Sequence, residues 1–147
     1  MTRSLSTVDT GLLRQLGDEL MRLGRRRTTT YAGSMLDTSA FRILWLLSEA
    51  PRTLKEVADE LQLEQSTVSR QVGAAIRHGL VERWGNPDAG GWLHRPTEQG
   101  RAAYEHDAQL RVEVYARVLD DLGRTRVDSL VAELAAFNNA LDRAHQK

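Results

Sequence analysis

The sequence predicts a mainly α-helical fold with one small β-hairpin, and three patterns carry the prediction. Leucines recur at three- and four-residue steps near the amino terminus, and apolar residues do so again through the last third of the chain. The middle holds two short amphipathic stretches separated by Gln62-Leu63-Glu64. Directly after them the period drops to two on both sides of a run of turn-forming residues. With 147 residues, 41% of them hydrophobic, the chain fits a single domain, since about 100–200 residues is the usual unit. Within residues 1–147, segment 38–96 is expected to form the compact middle, and 1–37 with 97–147 a helical frame.

Leu12, Leu13, Leu16, Leu20 and Leu23, with Arg14, Asp18, Glu19 and Arg22 between them, read as an amphipathic helix from about Val8 to Thr30. A second helix is expected from about Thr38 to Ser48, with Phe41, Leu44, Trp45 and Leu47 on its apolar side. Pro51 follows its end, because the residue before proline is pushed out of helical geometry. Thr53 and Glu56 have the spacing of a capping box, opening a short helix through Leu61 that buries Leu54, Val57, Ala58 and Leu61. After the Gln62-Leu63-Glu64 turn, a helix from about Gln65 to His78 buries Val68, Val72, Ala75 and Ile76. Gly79 stands where a left-handed cap is usual. Two short helices joined by so short a turn make a helix-turn-helix.

Val81-Glu82-Arg83-Trp84 and Trp92-Leu93-His94-Arg95 then read as two strands around Asn86-Pro87-Asp88-Ala89-Gly90-Gly91, a hairpin the size of a wing. Pro96 ends it, because proline cannot serve a central ladder. Thr97 caps a long helix carrying Leu110, Val114, Val118 and Leu122, interrupted at Gly123. A last helix, with Thr125 as its cap and Asp128 three residues on, carries Leu130, Leu134, Phe137 and Leu141. The fold class is therefore a winged helix-turn-helix between long terminal helices. Those helices have more apolar surface than the small middle can cover, so a two-fold homodimer is expected, against the alternative of an intramolecular bundle.

Composition bounds the chemistry. The chain has no cysteine, which excludes disulfides, thiolate ligands and thiol redox sensing, and fits a reducing cytoplasm. No apolar run approaches the roughly 18 residues of a membrane span, and no charged-then-apolar signal pattern opens the sequence. The formal net charge is zero, yet residues 65–96 carry Arg70, Arg77, Arg83 and Arg95 against only Glu82 and Asp88. That local excess is compatible with phosphate contact and equally with a solvated surface. No phosphate loop, nucleophile elbow or His-Glu-x-x-His pattern is present, so an enzyme is not expected. Glu105-His106-Asp107 makes a poor chelate, because neighbouring helix positions face different ways. No metal or cofactor is expected.

Four segments, in this order and spacing, carry a resemblance that covers nearly the whole chain. They are Leu54-Lys55-Glu56-Val57-Ala58-Asp59-Glu60-Leu61, Gln65-Ser66-Thr67-Val68-Ser69-Arg70, His78-Gly79-Leu80-Val81-Glu82-Arg83 and Thr97-Glu98-Gln99-Gly100. Together they resemble the MarR family of bacterial winged helix-turn-helix transcriptional regulators. The resemblance implies a cytoplasmic homodimer on a pseudo-palindromic operator, usually a repressor, often released by a small, frequently aromatic ligand.

A recognition helix needs short polar groups and an arginine near its start, where base edges come within reach. Gln65, Ser66, Ser69 and Arg70 supply them. Arg70 either pairs bidentately with a guanine or holds a phosphate, and Thr67 either contacts phosphate or supports the helix start. Arg77 reaches backbone phosphate or is merely solvated. Members of the family usually carry an aspartate and, two residues on, an arginine at the wing tip, whereas Asp88 here is followed by Ala89 and Gly90. Arg83, His94 or Arg95 would then have to supply charge from the wing's stem. Trp84 and Trp92 are expected to pack rather than stack on bases. Tyr31 and Trp45, near the junction where the family's ligand crevice lies, are expected in the core, with an effector role as the other reading. The altered wing also admits a rival function, a protein-interaction module with weakened DNA binding.

Overall fold

The computed structural model describes residues 9–27, 31–85 and 91–146. In chain order the elements are α1 (Thr10–Arg27), α2 (Thr38–Glu49), α3 (Leu54–Leu61), α4 (Gln65–Arg77), β1 (Val81–Trp84), β2 (Leu93–Pro96), α5 (Glu98–Leu122) and α6 (Arg124–His145). The expected order and type of every element hold. The first helix begins and ends inside its expected limits, and Val8, Thr28, Thr29 and Thr30 lie outside the described residues. So does the wing tip from Asn86 to Gly90.

Local chemistry explains the boundaries in the middle. Asp37 opens α2 by accepting the Ala40 amide at 2.7 Å. Thr53 and Glu56 form the capping box of α3: Thr53 Oγ1 accepts the Glu56 amide at 3.2 Å, and Glu56 Oε1 accepts the Thr53 amide at 3.4 Å. Gln62 turns the chain between α3 and α4 in the left-handed region, φ 54°, and its side-chain amide donates to the Asp59 carbonyl at 2.7 Å. Gly79, φ 75°, ends α4 with two reaching-back bonds, from the Gly79 amide to Ile76 and from the Leu80 amide to Ala75. That pattern stops a helix and sends the chain off at a sharp angle.

The core sits where α2, α3 and α4 meet β1, β2 and the start of α5. Ile43, Leu44, Leu47, Val57, Val68, Val72, Val81 and Ala103 are buried there. The two strands pair antiparallel, Val81 with Pro96, Glu82 with Arg95, Arg83 with His94 and Trp84 with Leu93. Arg52, between α2 and α3, adds a single-residue antiparallel bridge to His94 at the wing's base.

Two expectations are corrected. Trp45 is 59% exposed, because the buried arc of α2 is centred on Ile43, Leu44 and Leu47 and leaves Trp45 facing out. Thr125 is not the cap of α6. The helix starts at Arg124 with Gly123, φ 83°, at its N-cap and no side-chain cap bond. The chain passes from α5 to α6 through one glycine, which leaves no room for a capping residue further on.

The frame is unlike the core. α5 packs on α2, β2 and α6, while α1 makes no extensive contact with any other element among the described residues. Leu12, Leu13, Leu16, Leu20 and Leu23 of α1, Val114 and Val118 of α5, and Leu130 and Leu134 of α6 all stand exposed. No helix among the described residues is long and apolar enough to cross a membrane.

Candidate nucleic-acid interface

α4 buries Val68, Val72 and Ala75 and turns its other side outward. Gln65, Ser66, Ser69, Arg70 and Arg77 are exposed, and Thr67 is half-buried. With 3.6 residues per turn, Ser66, Arg70, Gly73 and Arg77 fall on one ridge opposite the buried stripe. Arg70 and Arg77 make no ion pair or hydrogen bond with any described residue. The ridge therefore presents two uncompensated cations and a short hydroxyl, with no bulky side chain to hold a partner surface away. On its α2 side, Arg70, Gln71 and His78 line a shallow cavity of about 240 Å³ with Ser39 of the first turn of α2.

The wing's two arginines are placed differently. Arg83 lies on the hairpin face of its cross-strand partner His94 and stacks over the Trp92 ring, 5.0 Å from its centroid. Arg95 lies on the opposite face, where its Nε donates to Glu82 at 2.8 Å and its guanidinium covers the Trp84 ring at 4.2 Å. Both tryptophans thus serve as platforms for arginines. The structure gathers Gln65, Ser66, Ser69, Arg70 and Arg77 on one helix face, and it separates Arg83 from Arg95, whose charge is already shared with Glu82.

The joint behind this surface is tight. Thr97 Oγ1 accepts the Gly100 amide at 2.9 Å and donates to the Gly79 carbonyl at 2.6 Å, while the Thr97 amide donates to Leu80 at 3.0 Å. Thr97 and Gly100 therefore dock the start of α5 on the end of α4, which accounts for both residues in the closing motif.

His94, expected as one possible source of charge at the wing's stem, is instead buried, and it holds the scaffold together with Arg52 and Asp107, for which the sequence suggested no structural part. Arg52 exchanges backbone bonds with His94 at 3.2 and 2.9 Å. His94 is buried, and its Nδ1 lies 3.1 Å from the Arg52 carbonyl. Burial pushes its pKa below the ordinary histidine value, aided by the Arg83 charge and opposed by the bond to Arg52. Asp107 is fully buried. Burial alone would raise its carboxyl, but the amides of Met35 and Leu36 and the ring of His106 hold it below the ordinary value. The alternation of a strand was the signal that could have placed His94 inward; nothing in the sequence pointed to the partners of Asp107, which lie 72 and 71 residues away.

Comparison with known proteins agrees with this architecture. The family model for the MarR family matches residues 36–90. The uncharacterized HTH-type transcriptional regulator YxaD of Bacillus subtilis (strain 168) is 33% identical over 107 residues, 71% of this chain and 75% of that protein. The transcriptional repressor CouR bound to a 23-mer DNA duplex is 26% identical with a TM-score of 0.74, covering 89% of this chain and 98% of that one. The M. tuberculosis regulator MOSR in complex with DNA is 25% identical with a TM-score of 0.55, covering 91% and 98%. A helix-turn-helix with a two-stranded wing, a cationic ridge on its second helix and this match to relatives over most of both chains place the protein in the MarR family of DNA-binding transcriptional regulators, which are not enzymes.

Proposed function

We infer that this protein is a cytoplasmic homodimeric repressor that lays the ridge of α4 into the major groove of each half of a pseudo-palindromic operator. The observation that carries the reading is the pair of cations Arg70 and Arg77, without a partner among the described residues, on the outward side of α4 whose start holds Gln65, Ser66, Thr67 and Ser69. Polar groups there reach base edges, and arginines reach guanine edges or phosphate. Arg83 supplies further charge from the wing's stem, with Arg95 in a lesser part because Glu82 holds it.

Residues 38–96 are the DNA-binding part of one domain, and 1–37 with 97–147 its dimerisation part. The exposed leucines of α1 and α6 favour a second copy, since the described residues leave the apolar side of each helix uncovered. A small aromatic effector is a further partner. Arg111 lies 3.5 Å from the Phe41 ring centroid and 5.0 Å from that of Tyr31, a cation between aromatic faces suited to an anionic aromatic molecule.

A gel-shift titration against the gene's own upstream region, followed by footprinting, tests the reading. Protection of two half-sites about one helical turn apart is expected. Failure to retard any duplex at low salt would favour the second reading, a protein-interaction module. The sequestered Arg95 and the tip without arginine are the observations on its side.

A further inference from the structure

The segment from Tyr31 to Asp37 leads from the side of α1, in the frame, into α2, in the DNA-binding part, and one face of α5 grips it. Tyr104, Asp107, Leu110 and Arg111 follow one another on that face at helical spacing. The Tyr104 ring lies 5.3 Å from that of Phe41. Asp107 Oδ1 accepts the Met35 amide at 2.8 Å, and Oδ2 accepts the Leu36 amide at 2.9 Å. Leu110 comes 4.0 Å from the position of a Cβ on Gly33, and Arg111 covers Phe41 and Tyr31 as described above.

Apolar and ring contacts have little directionality, so they allow one helix to slide or roll on another. Two charge-assisted bonds from one buried carboxylate to consecutive amides do not. His106 Nδ1, 3.0 Å from Oδ1, holds the same carboxylate from the solvent side. Of the contacts between α5 and this turn, those of Asp107 alone specify both position and orientation.

We propose that Asp107 is a positioning residue, locking the DNA-binding part to α5 and thereby setting the distance between the two recognition helices of the dimer. The proposal rests on the dimeric operator-binding reading. Two helices in one rigid dimer accept one half-site spacing. Releasing the lock leaves each head able to bind but lets the pair accommodate other spacings. Asp107 touches no DNA and acts through Met35, Leu36 and α2.

The experiment uses the full chain and the duplex it selects from a random-sequence library, together with versions having one base pair added or removed between the half-sites. The quantity read is the affinity ratio between the selected and altered spacings. Asp107→Asn keeps the side chain's shape but presents an amide donor to one of the two backbone N–H groups. It is expected to lower the ratio by about fivefold or more, the low end of ordinary coupling between sites. Val57→Ala, a core truncation in α3 that touches none of the Asp107 bonds, is expected to lower the melting temperature and leave the ratio unchanged. Asp107→Glu, which keeps the charge but moves the carboxylate one methylene away from the two amides, is expected to lower the ratio as well and serves if Asp107→Asn does not fold. A folded Asp107→Asn, or Asp107→Glu in its place, with the parent's ratio overturns the proposal, as does a Val57→Ala protein that loses the ratio equally. A parent chain that binds with no spacing preference, or not at all, overturns instead the operator reading beneath it.

Discussion

Gly100 is where α5 starts against the end of α4, and replacing it with alanine probes that joint directly. A Cβ on Gly100 would lie 1.9 Å from the Leu80 carbonyl oxygen and 2.7 Å from its carbon. Both atoms are backbone, so no side chain can swing aside, and the helix start must retreat by roughly an ångström to reach even a tight contact. The same oxygen accepts the Thr97 amide at 3.0 Å, and retreat breaks that bond. Overpacking costs about 1–3 kcal/mol, and an amide left without its partner adds about 1–3 kcal/mol. A loss of about 3 kcal/mol is expected, a fall of about 6–12 °C in Tm for a chain of this size. Gly73→Ala supplies the contrast. There the added carbon meets nothing closer than Arg77 Nη1 at 3.5 Å, within a regular helix, and a gain of about 0.5–1 kcal/mol is expected. Thermal melts by circular dichroism compare the two. Equal melting of Gly100→Ala and the parent would refute the close approach and the docking of α5 inferred from it.

Other substitutions test the interface and the frame. Arg70→Ala is expected to lose about 1–3 kcal/mol of discrimination at one operator position if the arginine reads a guanine, or to weaken all sequences evenly if it holds phosphate. Competition binding on operator variants separates the two, and unchanged affinity throughout would mean that the ridge is not the reading face. Leu134→Asp puts a charge on the exposed apolar side of α6 and is expected to shift the dimer toward monomer in sedimentation and to weaken DNA binding with it. A parent protein that is monomeric at micromolar concentration would refute the dimer. Gly90→Arg restores the usual wing-tip cation and is expected to steepen the salt dependence of binding by about two counterions per dimer; an unchanged slope would place the tip away from DNA. His94 has its pKa lowered from 6.5 in the folded state, so below that value the unfolded chain takes up a proton that the native ring resists. Its contribution to stability is full above about pH 6.5 and falls as pH drops toward the native pKa. Urea midpoints of parent and His94→Gln between pH 7.5 and 5 should converge on acidification, and parallel curves would contradict the buried neutral ring.

The capping box at Thr53 and Glu56, the glycine stop at Gly79, the Thr97 cap and the change of period at Leu80 were legible in the sequence, and all stand in the structure. Each is a local device whose partners lie within about five residues, so the chain's own order displays both halves of the interaction. The outward polar start of α4 was legible for the same reason, because helical periodicity sorts Gln65, Ser66, Ser69 and Arg70 from Val68 and Val72. Trp45 misled because residue type signals burial only on average, and Ile43 took the inward arc when α2 packed against its neighbours. The Thr125 spacing imitated a cap that the one-residue joint at Gly123 left unused. Asp107, the Arg52–His94 bridge and the sharing of Arg95 with Glu82 were hidden, since each depends on which distant segments meet. Only folding brings the Met35 and Leu36 amides to a carboxylate on α5, or Gly100 against Leu80, because burial and direction are properties of packed surfaces rather than of sequence spacing.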